Sequence, residues 1–280
     1  MKETLTDEKI VELKQIANSI RKSIIEMLRD AGSGHTAGAL GMADIFTLLY
    51  FHTLKHDSKN PLWVGRDRLV VSNGHICPVL YATMAEAGYF PKEELKTLRK
   101  FGSRLQGHPH RQYLPFVETS SGPLGSGLSQ GIGMAIADRI YGGEKTIYAI
   151  LSDGEHDEGN TWEAIMLASK EKLSNLIAIV DRNKIQIEGN TERVMPLGDL
   201  KDKYKEFGWN ALDVDGHDFW EINNAIYKAK KNKGSPSVII AHTIPGRGVK
   251  EWENDYHWHG KAPNKTEAEM ALTELNKFHA

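Results

Sequence analysis

The chain has 280 residues, 40 % hydrophobic and 26 % charged, which leaves room for one large domain or two small ones and excludes disorder as the main state. Its formal net charge of −2 supplies no bulk attraction to nucleic acid or an anionic membrane. The single cysteine, Cys77, excludes an internal disulfide framework and a Cys-rich zinc site, and such usage suits a reducing cytoplasm.

The first nine residues, Met1 to Lys9, hold no apolar core of a secretion signal. A helix is predicted over roughly 7–29, because Ile10, Leu13, Ile16, Ile20, Ile24 and Met27 recur every three or four residues. Thr6 suits its N-cap and Gly32 its stop. A second apolar stretch, 43–51, reads as a buried helix. From there, short apolar runs of strand type at 68–71, 146–151, 176–180, 211–214 and 237–241 alternate with helical stretches at 79–87, 129–139, 162–170 and 219–230. A terminal helix follows over 265–278. The uncharged stretches near 70–85 and 120–137 are broken by Gly and Pro, and a membrane span needs ~20 mostly apolar residues. With no repeat and no Pro-, Gly- or Ser-rich linker, 1–280 reads as a single α/β domain, a largely parallel sheet with helices on both faces.

In such a sheet, ligands bind beyond the carboxyl ends of the strands. Those ends carry Ser72-Asn73-Gly74-His75, Ser152-Asp153-Gly154-Glu155, Asp181-Arg182-Asn183-Lys184-Ile185 and the segment from His242 to Gly248. Asp153 and Asn183 follow two strands with one helix between them, so a crossover brings acid and amide together if those strands are neighbours. Oxygens of that kind suit Mg²⁺, which completes its shell with water and phosphate, and Gly154 lets the backbone approach a phosphate. Read alone, Asp153-Gly154 is as readily a turn and Asn183 a loop cap.

Taken together, Ser152-Asp153-Gly154, Glu158-Gly159 and Asn183-Lys184-Ile185 resemble the thiamine diphosphate signature, with Ser152 where that signature has its first Gly. The flanks are similar to transketolase blocks in the right order. They are Ser33-Gly34-His35 with Gly38 and Leu40-Gly41, Arg66-Asp67-Arg68, Ser72 to His75, Gly107-His108-Pro109, Ser121 to Gly127, and Trp258-His259-Gly260. The resemblance runs from about residue 10 to about residue 263 and covers the diphosphate-binding domain of a transketolase. A single-chain transketolase continues with pyrimidine and C-terminal domains, whereas this chain stops at Ala280. It therefore resembles the N-terminal subunit of a split transketolase.

The resemblance implies thiamine diphosphate and Mg as cofactors, and transfer of a two-carbon ketol unit from a ketose phosphate to an aldose phosphate, as in the pentose phosphate pathway. It makes Asp153, Asn183 and the carbonyl of Ile185 metal ligands. Gly154, His75 and His259 become diphosphate contacts, Gly122 and Leu124 a loop packed on the cofactor, and Ile187 an apolar wall. His35, His108 and His259 become the histidines at the reacting carbons, since imidazole donates or accepts protons near neutral pH. Glu158 and Glu163 match acids at an interface between two active sites. The glutamate that activates the cofactor lies in the family's pyrimidine domain. That implies a two-plus-two assembly with a separate C-terminal subunit, and neither nucleic acid nor membrane as partner. The alternatives are a thiamine diphosphate enzyme acting on another sugar or oxo acid, a silent regulatory chain, and a dinucleotide binder built on Gly125-Ser126-Gly127 and Gly131. The last lacks the usual spacing and a preceding strand. His52, His56, His110, His217, His257 and His279 read as bystanders, while His156 and His242 carry no assignment. The acidic run 155–158 reads as a solvated face, a partner contact or a second metal site.

Overall fold

The computed structural model describes residues 5–278. Helix α1 (Asp7–Ala31) begins where the Thr6 hydroxyl accepts from the Lys9 amide, and it ends at Gly32, whose φ of +65° is one that glycine adopts without a Cβ penalty. Two short helices follow, α2 (Ala37–Gly41) and α3 (Ala43–Leu48), the second extended by a wide turn over Leu49–Thr53. Strand β1 (Arg68–Val71) leads through a tight turn, Gly74–Ile76, into α4 (Cys77–Glu86). Next come α5 (Ser126–Ile140), β2 (Ile147–Ser152), α6 (Gly159–Lys170) and β3 (Leu176–Asp181). A small hairpin, β4 (Ile185–Gln186) and β5 (Gly189–Asn190), precedes α7 (Thr191–Val194) and α8 (Leu200–Glu206). The fold closes with β6 (Asn210–Asp215), α9 (Phe219–Lys231), β7 (Ser237–His242) and α10 (Lys265–Lys277).

Five strands form one parallel sheet in the order β1-β2-β3-β7-β6. Alternate residues serve opposite faces. Tyr148, Ile150, Ile177, Ile179 and Ile239 pack with α1, α3, α4, α9 and α10, whereas Ile147, Ala149, Leu151, Ala178 and Val180 pack with α5, α6 and α8. The predicted α/β sheet with helices on both faces is thus present. Strands β2 and β3 are neighbours, with Ser152 opposite Asp181. No helix among the described residues is long and apolar enough to cross a membrane.

The chain order reverses between β3 and β7. After β3 the chain leaves toward α8 on one face. After β7 it turns to the other face, where the Gly246 amide donates to the Ala37 carbonyl at 2.9 Å. Such a divergence opens a crevice at the carboxyl ends of the strands, and a groove of about 540 Å³ lies there, lined by Asn183, Ile185, His217, His242, Thr243 and Ile244 among others.

Candidate active site

Asp153 sits just past β2, 1 % exposed, with its amide donating to the Asp181 carbonyl at 3.1 Å. One carboxylate oxygen accepts from the Gly154 amide at 2.8 Å. The other accepts from the Lys184 amide at 2.7 Å and from Arg182 Nη1 at 3.0 Å. Burial pushes the Asp153 pKa up against the pull of Arg182 and of these amides. Arg182 reaches on to Glu192 at 2.5 Å and Thr191 at 3.1 Å, which ties the acid to α7. Beyond β3, Asn183 donates through Nδ2 to Asp181 at 2.8 Å and accepts through Oδ1 from the Ile185 amide at 2.9 Å. Asp181 itself is pushed up to about 7, first by burial and further by the Asp153 charge, against hydrogen bonds from Thr243 and Asn183.

The oxygens that Asp153 and Asn183 bring to these adjacent strand ends are a carboxylate and an amide. That hard, sparse donor set fits Mg²⁺, which takes few protein oxygens and keeps water and phosphate in its shell. Among the described residues, no group of three or more His, Cys, Asp or Glu forms a cage for another metal. Gly154 is closely approached: a Cβ there would lie 3.6 Å from Gln186 Oε1, a buried acceptor with no hydrogen-bond partner.

Three imidazoles from distant segments meet nearby. The ring centroids of His35 and His75 are 5.0 Å apart, His35 and His259 5.5 Å, and His75 and His259 5.2 Å. Burial lowers all three pKa values. His35 falls to about 4, with His259, Arg99 and His108 adding to the effect. His75 falls well below its usual range, and His259 is lowered while Glu188 on the hairpin opposes the shift. His108 is lowered by burial and by Arg99, and a Cβ on Gly122 would stand 4.0 Å from its ring. At neutral pH these rings are uncharged and can take or give a proton. His35 Nδ1 and both amide atoms of Asn73 are buried without partners, which leaves donors and acceptors available at the cluster. Gly38 joins the two halves of the site: its Cβ would stand 3.2 Å from Ile76, beside His75, 3.8 Å from Asp181 and 3.9 Å from Asn183.

Of the remaining expected residues, Leu124 is half-buried on the loop before α5, and Ile187 is 66 % exposed at the hairpin tip. Glu158 and Glu163 are exposed at the start of α6. No strand directly precedes Gly125 to Gly131, so the dinucleotide loop has no support. The acidic run divides. Glu155 and His156 are buried, because all their polar atoms find internal partners, so neither is a solvated face or a partner contact. His156 Nδ1 faces the Ser152 and Asp153 carbonyls, so it carries the proton, and Nε2 accepts from Tyr204 at 2.9 Å. Burial holds His156 at about 4. His242 pairs with Asp213 at 2.9 Å on the groove rim. His217, expected as a bystander, lines the groove. It accepts from the Ile244 amide at 2.8 Å and donates through Nδ1 to Asp44 at 2.7 Å. Asp44 is in turn bound by the fully buried Arg21 at 2.5 Å. His279 lies outside the described residues.

Arg99 is the neighbour that sequence reasoning missed. Its backbone takes φ +60°, its guanidinium lies where a Cβ on Gly107 would be 2.8 Å away, and Nη1 donates to Ser33 at 3.3 Å. The unbroken Gly107-His108 pair, with no side chain to exclude an arginine, was the available signal.

Residues 12–276 match the family model described as transketolase, thiamine diphosphate binding domain. The chain belongs to the transketolase family. It is 41 % identical over 270 residues to a 6-deoxy-6-sulfo-D-fructose transketolase subunit of Clostridium sp., covering 96 % of this chain and 98 % of that one. It is 37 % identical over 257 residues to an apulose-4-phosphate transketolase subunit of Phocaeicola vulgatus, covering 92 % and 91 %. Its fold is similar to the transketolase of Leishmania mexicana, with a TM-score of 0.90 at 32 % identity over 94 % of this chain. This transketolase domain spans 41 % of that longer chain.

Proposed function

We propose that this chain is the diphosphate-binding half of a split, cytoplasmic transketolase and moves a two-carbon ketol unit between sugar phosphates only when joined by a C-terminal subunit. The observation that carries the reading is that Asp153 and Asn183 follow adjacent strands while Gly38, three residues past His35, lies against both Asn183 and Ile76, the neighbour of His75 in the His35–His75–His259 triangle. Its relatives of equal length, named as subunits, support a separate partner. Asp153, Asn183 and the Ile185 carbonyl hold Mg²⁺. Gly154, His75 and His259 bind the diphosphate, while Gly122, Leu124 and Ile187 bound the ring of the cofactor. Thiamine diphosphate, when bound, supplies the electron sink for breaking and making the carbon–carbon bond. His35, His108 and His259 orient sugar hydroxyls and move protons on and off them, a role that neutral imidazoles suit. The expected assembly is two of each subunit, with Glu158 and Glu163 at the interface.

The test is two-carbon transfer from xylulose 5-phosphate to ribose 5-phosphate with Mg²⁺ and thiamine diphosphate, using the chain alone and then with the pyrimidine-domain subunit encoded beside it. Activity only in the mixture supports the proposal, and activity of the chain alone refutes it. Asp153→Ala is expected to abolish Mg²⁺-dependent cofactor binding, and unchanged binding would remove Asp153 as a ligand. The likeness to the Clostridium protein favours a second reading in which the donor is a sulfonated ketose. Turnover of 6-deoxy-6-sulfofructose in place of xylulose 5-phosphate would select it.

A further inference from the structure

Glu155 lies two residues past Asp153 and is fully buried. Its carboxylate accepts from three separate segments. Oε1 accepts from the Ser72 hydroxyl at 2.5 Å and the Gly125 amide at 3.0 Å, and Oε2 accepts from the Ser152 amide at 2.8 Å. Ser72 Oγ accepts in turn from the Gly127 amide at 3.1 Å. The three segments are the end of β1 that runs on to His75, the loop that carries Gly122 and Leu124, and the end of β2 that runs on to Asp153. Among the described residues Glu155 forms no ion pair, so its two carboxyl oxygens are met by neutral donors alone. A buried polar group needs its partners, and carboxyl oxygens can accept from donors on several sides at once. The surroundings leave the loop no slack: a Cβ on Gly127 would fall 2.4 Å from the Ser72 Cβ, and one on Gly125 2.1 Å from Asn160 Oδ1.

We infer that Glu155 is a positioning residue, the common anchor that sets the loop 121–127 against the Asp153 end of the site. The Ser152 hydroxyl, present where the family signature has Gly, joins this anchor by accepting from the Glu155 amide at 3.3 Å. The role in cofactor binding rests on the proposed function; the anchoring of the loop does not.

The test is hydrogen exchange on the intact chain, read peptide by peptide, with thiamine diphosphate affinity in Mg²⁺ as a second arm. Glu155→Gln keeps the shape but turns an NH₂ group toward an N–H donor. It is expected to speed exchange across 121–127 by about tenfold or more, while α1 and α10 exchange at wild-type rates. Cofactor affinity is expected to weaken by about tenfold for the same lost contacts. Ser72→Ala leaves the carboxylate in place but removes both its Ser72 donor and the link to Gly127. It is expected to loosen the same loop, and Ser72→Ala/Glu155→Gln to be no worse than Glu155→Gln alone, because the two act as one unit. Unchanged exchange at 121–127, or a uniform rise across the sheet, overturns the inference. If Glu155→Gln does not fold, Ser72→Ala decides by the same readout. If the wild type binds no thiamine diphosphate, the cofactor reading fails while the exchange arm still decides the anchor.

Discussion

Replacing Arg21 by Met tests whether a buried ionic chain holds the groove wall. Arg21 is 0 % exposed and Asp44 2 %. Asp44 Oδ2 takes bonds from both Arg21 and His217, while Oδ1 has no partner, so no other group replaces Arg21 when it is removed. Arg21 Nε also donates to the Leu40 carbonyl at 3.3 Å. Met preserves much of the aliphatic volume and isolates the charge effect. Breaking a buried pair from one side costs about 3–5 kcal/mol, and retention of the His217 bond places the expected loss near the lower figure. In thermal unfolding this corresponds to a fall on the order of 10 °C. The pH dependence is diagnostic. Burial would raise the Asp44 pKa, but Arg21 and His217 overcome it and hold the group at about 2, below its usual 3.8. In the wild type that stabilisation is fully present above pH 3.8 and is lost as pH falls toward 2. In Arg21→Met burial prevails, the carboxylate becomes a liability at neutral pH, and protonation relieves it. The gap between the two proteins therefore narrows on acidification. Urea unfolding followed by tryptophan fluorescence at pH 7 and pH 4 measures both quantities. A loss below about 1 kcal/mol at pH 7, the scale of an exposed pair, or a gap that does not change with pH, would refute the reasoning.

His156 is held at about 4 by burial, against 6.5 in the free side chain, so the unfolded chain takes its proton first as pH falls. Over the window from pH 6.5 to 4 this costs the wild type about 3 kcal/mol. His156→Asn lacks that term, so its urea stability should fall less over the window; parallel curves would contradict the assignment. His259→Asn removes a ring that depresses His35, so the His35 pKa should rise above about 4 in an imidazole NMR titration. An unmoved titration would mean that burial, Arg99 and His108 set it without His259.

Much of the sheet was legible because buried parallel strands are continuous apolar runs, as in Ile147–Ser152 and Leu176–Asp181. The edge strand Asn210–Asp215 is only partly buried, and its ends extend one residue beyond the expected run on each side. Helix α2 and the hairpin β4–β5 left no trace, since five residues of Ala, Gly and Leu, or strands of two, carry no period. The closeness of Asp153 and Asn183 followed from strand order, once β2 and β3 proved to be neighbours. The meeting of His35, His75 and His259 did not follow from spacing, because they lie on three separate loops; only the family blocks pointed to it. Glu155 was misread because charge in a sequence argues for solvent, and its donors, mostly backbone amides, have no letter in the sequence.

The triangle of imidazoles sets a limit on charge. At about 5 Å between rings, two positive charges repel by about 3 kcal/mol at an effective dielectric of 20, which spreads successive protonations over more than about two pH units. The cluster, uncharged at neutral pH, therefore accepts at most one added proton before repulsion opposes the next. Once one ring is charged, its neighbours stay neutral until the pH has fallen by about two further units. A site of this kind changes its charge by one step at a time, so three basic rings together carry no more charge than one would alone.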